Sequence, residues 1–208
     1  MLIGMGIRTC LLLILFLLSP VAMAELAYHG FHVDDHLLDD GQKAVFSALA
    51  SASVTEQLHI VEALDLPPEL LDFFKKTKIM VDPALRGSPA TFVVYDGKGA
   101  IHIQAIVFPA NKPILLHELL HAYHYAVLSL NNRAILNAYD VASHAGVYPA
   151  QFQHAHFLSN DKEFFAVTGS IYLFGNIEQP PFNCAIVSTS DPAYLAFLEK
   201  IFGHHPCK

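Results

Sequence analysis

His117, Glu118 and His121 are the residues whose types and spacing most directly permit chemistry in this chain. They belong to the run His-Glu-Leu-Leu-His, and residues four apart on an α-helix project from nearly the same face. Two neutral imidazoles there can reach one metal ion, with the Glu118 carboxylate emerging beside them. Zinc accepts two such nitrogens at about 2.0–2.1 Å, takes a third protein ligand, and in reactive sites leaves a fourth position to water. The cation brings the pKa of that water close to neutral, and Glu118 is placed to take its proton. Five residues thus hold two ligands, a route to a nucleophile, and its base.

The element that must position them is a buried helix. Ile114, Leu115, Leu116, Leu119 and Leu120 flank the motif, and Pro113 suits a first helical turn. Two unpartnered imidazoles and a carboxylate in such a setting would be costly, and a metal removes that cost. Upstream, Thr91–Tyr95 and Ala100–Phe108 are rich in β-branched and aromatic residues and flank Asp96-Gly97-Lys98-Gly99, which predicts a hairpin. In its second strand Ile101, Ile103 and Ala105 alternate with His102 and Gln104. An extended peptide or protein substrate could add there as a strand along residues 101–106, held by main-chain hydrogen bonds.

A third ligand has to come from another segment. A metzincin would carry Gly at 124 and His at 127, but the chain has His124 and Val127, which excludes that class. Glu163 opens a helical segment in which Phe164, Phe165, Val167, Ile171 and Phe174 supply a buried side. The same Glu163 could instead close a capping box with Asn160. His144, His154, His156 and Glu178 are the alternatives, none in so defined a helical setting. His124, two helical turns from His117, reads as a packing residue behind the ligands.

The pair His117-Glu118-x-x-His121 and Asn160-Asp161-Lys162-Glu163-Phe164-Phe165-Ala166 resembles the gluzincin zinc metallopeptidases. Within these it is most similar to the anthrax lethal factor-like group, which includes secreted Pro-Pro endopeptidases. The likeness spans about residues 90 to 175. It implies a zincin-like α+β domain, one Zn2+ per chain held by His117, His121 and Glu163, and peptide-bond hydrolysis with Glu118 as general base. The family places a Tyr seven residues before its ligand Glu, where it stabilises the oxyanion, and this chain has His156 there. Any N–H or O–H aimed at the developing charge can serve, so His156 is the first candidate and Tyr148 the second.

Composition narrows the alternatives. Twelve Lys and Arg stand against 19 Asp and Glu, a formal charge of -7, which offers no basic face for nucleic acid. Arg8, the apolar run Cys10–Leu18, Ser19-Pro20 and Ala22-Met23-Ala24 predict a secretory signal peptide over residues 1–24. Cleavage would leave residues 25–208 as one extracytoplasmic catalytic domain, with two lobes around a cleft near 122–145 and no membrane anchor. Cys184 and Cys207 then remain, and in an oxidising compartment they are expected to pair. Toward the amino terminus, Val45, Leu49, Ala52, Leu58, Val61 and Leu64 predict one or two helices broken near Ser51-Ala-Ser53. Pro67-Pro68 ends that region, a short helix covers 69–76, and Lys75, Lys76 and Lys78 form a solvated face. The rival expectations are a non-catalytic periplasmic metal-binding protein, suggested by 13 His, and a pseudopeptidase used as an interaction module.

Overall fold

The computed structural model describes residues 28–109 and 112–203, and within the first helix the side chains of 43–52 are not described. The expected signal peptide and Cys207 lie outside the described residues. The chain is α+β. Its elements are β1 (Val33–Asp34), α1 (Asp40–Glu62), α2 (Pro68–Lys76), β2 (Lys78–Val81), β3 (Ala90–Tyr95) and β4 (Lys98–Ile103), then α3 (Ile114–Tyr123), α4 (Arg133–His144), α5 (Asp161–Phe174), α6 (Cys184–Ser190) and α7 (Pro192–Phe202). Among the described residues, no helix is long and apolar enough to cross a membrane.

The hairpin expected between Thr91 and Phe108 is present but shorter. Asp96 and Gly97 both have positive φ, 49° and 74°, the backbone of a two-residue hairpin turn whose twist suits the strands. This turn pairs Tyr95 with Lys98 and Ala90 with Ile103. Past Ile103 one more backbone bond follows the same register, Gln104 N–H to Pro89 O, and the strand then ends, with the Gln104 side chain donating to Leu85 O.

The sheet also contains two strands that periodicity did not announce, giving the order β1-β2-β4-β3. β2 runs parallel to both β1 and β4, with Ile79 opposite Ile101 and Val81 opposite Ile103. All four of these side chains are buried against the helices. This order corrects the expected docking strand along 101–106. β4 is paired on both sides, by β2 and β3, so it has no free edge, and the open edge on that side of the sheet belongs to β3.

Helix α3 lies at the centre, packed against β3, β4, α1, α2 and α5. Leu115, Leu116, Leu119 and Leu120 are fully buried, which is why so many apolar residues surround the motif. Pro113 precedes the helix and supplies no side-chain cap. The buried Gln57 of α1 caps it instead, since its Oε1 accepts from Leu115 N–H at 3.1 Å and its Nε2 donates to Lys112 O at 3.0 Å. Helix α5 comes close to α3 at Gly169, where an added Cβ would meet Leu120 Cδ1 at 3.2 Å. That close crossing brings the first turn of α5 within reach of the motif.

Two further expectations change. Helix α1 is continuous rather than broken near Ser51–Ser53, because the buried Ser53 turns its hydroxyl to accept from Phe108 N–H instead of competing for the helix backbone. Lys75 is not on a solvated face: it donates to Glu62 at 2.9 Å and to His29 O at 2.8 Å and lies over the Phe31 ring. Lys78 pairs with Asp34 at 3.0 Å, and Lys76 remains well exposed beside Asp72. Cys184 is buried and disulfide-bonded.

Candidate metal centre

Three separate pieces of chain meet at one point. α3 supplies His117 and His121, whose Nε2 atoms lie 3.0 Å apart with the rings edge to face. The first turn of α5 supplies Glu163, with Oε2 3.1 Å from His117 Nε2 and Oε1 3.4 Å from His121 Nε2. The short 3-10 turn His156–Leu158 supplies His156, whose Nε2 is 2.8 Å from Glu163 Oε2. The ligand atoms of His117, His156 and Glu163 all lie within 4.8 Å of one another, and this group could hold a metal ion.

The capping role considered for Glu163 is filled without its side chain. Asn160 Oδ1 accepts from the backbone N–H of Lys162 and of Glu163, both at 3.0 Å, which starts α5 and leaves the Glu163 carboxylate free to face the imidazoles. Burial pushes that carboxyl up, but the His117 and His121 imidazoles beside it outweigh this and hold the group well below the usual carboxylate range. Glu163 Oε2 is buried and has no well-directed hydrogen bond, although imidazole nitrogens surround it. Lone pairs converging without aligned protons are what a divalent cation accepts, and two imidazoles with a carboxylate are a borderline donor set that suits zinc.

Glu118 sits beside this cluster, 8% exposed, and its Oε2 accepts from Phe92 N–H at 2.7 Å. In a two-residue hairpin the strand residues alternate, so Thr91, Val93 and Tyr95 turn their backbone polar groups toward β4 while Phe92 and Val94 turn theirs outward. The edge strand thereby fixes the carboxylate. Sequence reasoning missed this contact, since its donor is a backbone N–H that no side-chain type reports. A cleft of about 380 Å³ opens next to it, lined by His117, Glu118, His156, Pro89, Ile177 and the buried Ser170 among others.

The remaining candidates fall away from the centre. Tyr148 is buried, packed 5.0 Å from Phe157, with its hydroxyl unpartnered among the described residues. Burial and the nearby Asp191 push its phenol far above the ordinary range. It lines neither the cleft nor the ligand cluster, which corrects its expected place opposite the metal. His144 is exposed beside Asp140, His154 is exposed, and Glu178 pairs with Lys112 at the cleft wall.

His124 is 1% exposed, 5.0 Å from the Phe165 ring, and neither ring nitrogen finds a partner among the described residues. It opens a π-helical turn, His124–Leu128, that continues α3. Burial pushes its imidazole down to about 4, against the opposing pull of Asp161. The unfolded chain binds this proton below about 6.5 and the folded one does not until about 4, so stability falls as pH drops through that window. About 2 kcal/mol should be lost from this residue between pH 7 and pH 5. His124→Leu is expected to flatten that part of the dependence in urea unfolding at the two pH values, and an unchanged slope would remove the buried neutral imidazole as its cause.

Comparison with protein-family models, with curated proteins and with solved structures gives no match. The functional reading therefore stands on the geometry of this site.

Proposed function

We propose that the protein is a zinc-dependent endopeptidase with a zincin-like catalytic domain, delivered outside the cytoplasm by its amino-terminal segment. The observation that carries this reading is the meeting of Glu163 with the His117 and His121 nitrogens beside a cleft that Glu118 also lines. His117, His121 and Glu163 would hold the ion. Bound zinc supplies Lewis acidity, which acidifies water and polarises the scissile carbonyl.

The chain's own residues do the rest. Glu118 accepts the proton of the attacking water and passes it to the leaving amine nitrogen, while the water oxygen ends in the new carboxylate. Phe92 N–H holds one Glu118 oxygen, so the proton travels on the other. His156, with 58% of its side chain exposed, stands at the rim and can offer an N–H to the developing oxyanion. With the Phe92 N–H taken by Glu118, the outward Phe92 carbonyl and the N–H and carbonyl of Val94 give an extended substrate a strand to pair with, in place of residues 101–106.

Val94→Pro tests that edge. Proline is tolerated where a strand N–H faces outward, and it deletes one docking hydrogen bond worth about 0.5–1.5 kcal/mol. KM for a peptide should rise by about 2- to 12-fold with kcat and thermal stability nearly unchanged. An unaltered KM would move the substrate off β3.

One observation favours a second reading. His156 reaches Glu163 as closely as the motif histidines do, and three imidazoles plus a carboxylate would close a tetrahedron, as structural zinc sites are closed. The protein would then store or carry metal. His156→Ala separates the two: an oxyanion donor leaves metal affinity intact and lowers kcat by about 10²–10³-fold, whereas a ligand lowers affinity itself. The function as a whole is tested by incubating the zinc-loaded protein with a peptide library. Cleavage that a chelator abolishes and zinc restores is expected, and a library left intact would contradict the proposal.

A further inference from the structure

A second pair of imidazoles faces each other far from the motif in sequence. His59, exposed in the last turn of α1, and His29, in the turn before β1, have Nε2 atoms 3.0 Å apart and ring centroids 4.3 Å apart, edge to face. The spacing and ring geometry repeat those of His117 and His121, at 3.0 Å and 4.6 Å. Two nitrogens bound to one ion at about 2.0–2.1 Å lie about 2.8–3.4 Å apart for angles between square-planar and tetrahedral.

The surroundings of His29 prepare its Nε2 for that use. Glu62, one helical turn after His59, places Oε2 2.9 Å from His29 Nδ1. A carboxylate there accepts the Nδ1 proton, which leaves Nε2 as the lone-pair nitrogen, the arrangement that carboxylates impose on metal-binding histidines. Lys75 completes the frame by donating to Glu62 Oε1 at 2.9 Å and to His29 O at 2.8 Å. The latter bond anchors His29 in the left-handed backbone region, φ 55°, a conformation that His adopts more readily than most residues. Glu62 offsets the Lys75 charge, so a cation near the imidazoles meets no unbalanced ammonium.

We infer that His29 and His59 form a second metal site, with Glu62 behind His29, for a borderline divalent ion of the Cu2+, Ni2+ and Zn2+ class. Two imidazoles leave the remaining positions to water, and the order of affinities puts Cu2+ first. The ion ties the segment leading into β1 to the end of α1. It takes no part in the chemistry proposed for the cleft.

Metal-stripped protein titrated calorimetrically with Zn2+, and separately with Cu2+, should take up two equivalents, the second raising Tm. His29→Gln and His59→Gln should each remove the second equivalent, retain the first, and leave peptide cleavage unchanged, while Glu62→Gln should weaken the second by about 10–100-fold. Cu2+ added to the His117→Gln/His121→Gln protein should give an electron paramagnetic resonance spectrum split by two imidazole nitrogens. Uptake of a single equivalent that His29→Gln and His59→Gln both retain overturns the inference. So does a second equivalent that persists in both single variants, because it then binds elsewhere in a His-rich chain.

Discussion

Glu118→Gln is expected to keep its metal and lose peptide hydrolysis by about 10²–10⁴-fold, the range that a positioned general base supplies. The substitution is nearly isosteric, and the amide oxygen can still accept the Phe92 N–H that holds the carboxylate in place. The helix around it is packed by Leu115, Leu116, Leu119 and Leu120, none of which depends on the Glu118 charge. What disappears is the second oxygen's capacity to take a proton from water. Metal content by atomic emission should match wild type while cleavage of a fluorogenic peptide collapses. A variant that cleaves normally would take Glu118 out of the mechanism.

The second large effect is on the metal itself. Glu163→Ala should remove the equivalent of zinc bound at this centre, leaving that held by His29 and His59, with affinity at the centre falling by more than the roughly 10–100-fold that follows loss of an outer partner alone. The fold has an independent start for α5, since Asn160 caps it through the backbone N–H groups of Lys162 and residue 163. Loss of metal therefore cannot be put down to a lost cap. It would reflect removal of a carboxylate lying 3.1 Å from His117 Nε2 and 3.4 Å from His121 Nε2. Equilibrium dialysis against zinc, with circular dichroism to follow helix content, reads both parts. Undiminished zinc binding would remove Glu163 from the ligand set.

How much of the molecule is legible in its sequence depends on whether a side chain or a backbone carries the information. The motif helix announces itself because two ligands and a base at helical spacing lie among leucines, and burial of that stretch follows from the same residues. Glu163 is legible through its helix start, with Asn160 as the capping residue, although only the structure shows that its carboxylate faces the imidazoles. The sheet is half legible. Asp96-Gly97 marks the turn, but the two-residue β1 and the four-residue β2 are too short for periodicity to separate from loop. Missing β2 is what puts the docking edge on β4, since an isolated hairpin leaves β4 exposed and a four-stranded sheet does not. Tyr148 fails for a different reason: polarity of type suggests a hydroxyl at the site, whereas Phe157 and the surrounding core claim the ring. The His29–His59 pair is invisible in the sequence, since 30 residues separate its members and no local pattern links them.

Zinc K-edge X-ray absorption on the protein loaded with a single equivalent reads the coordination shell itself. An ion bound by two imidazoles is expected, with only oxygen donors, from Glu163 and solvent, completing its shell, and with a loss of oxygen scattering in Glu163→Ala. A spectrum showing three imidazoles with no solvent position, or a protein that retains no zinc after desalting, would contradict a hydrolytic zinc centre at His117, His121 and Glu163.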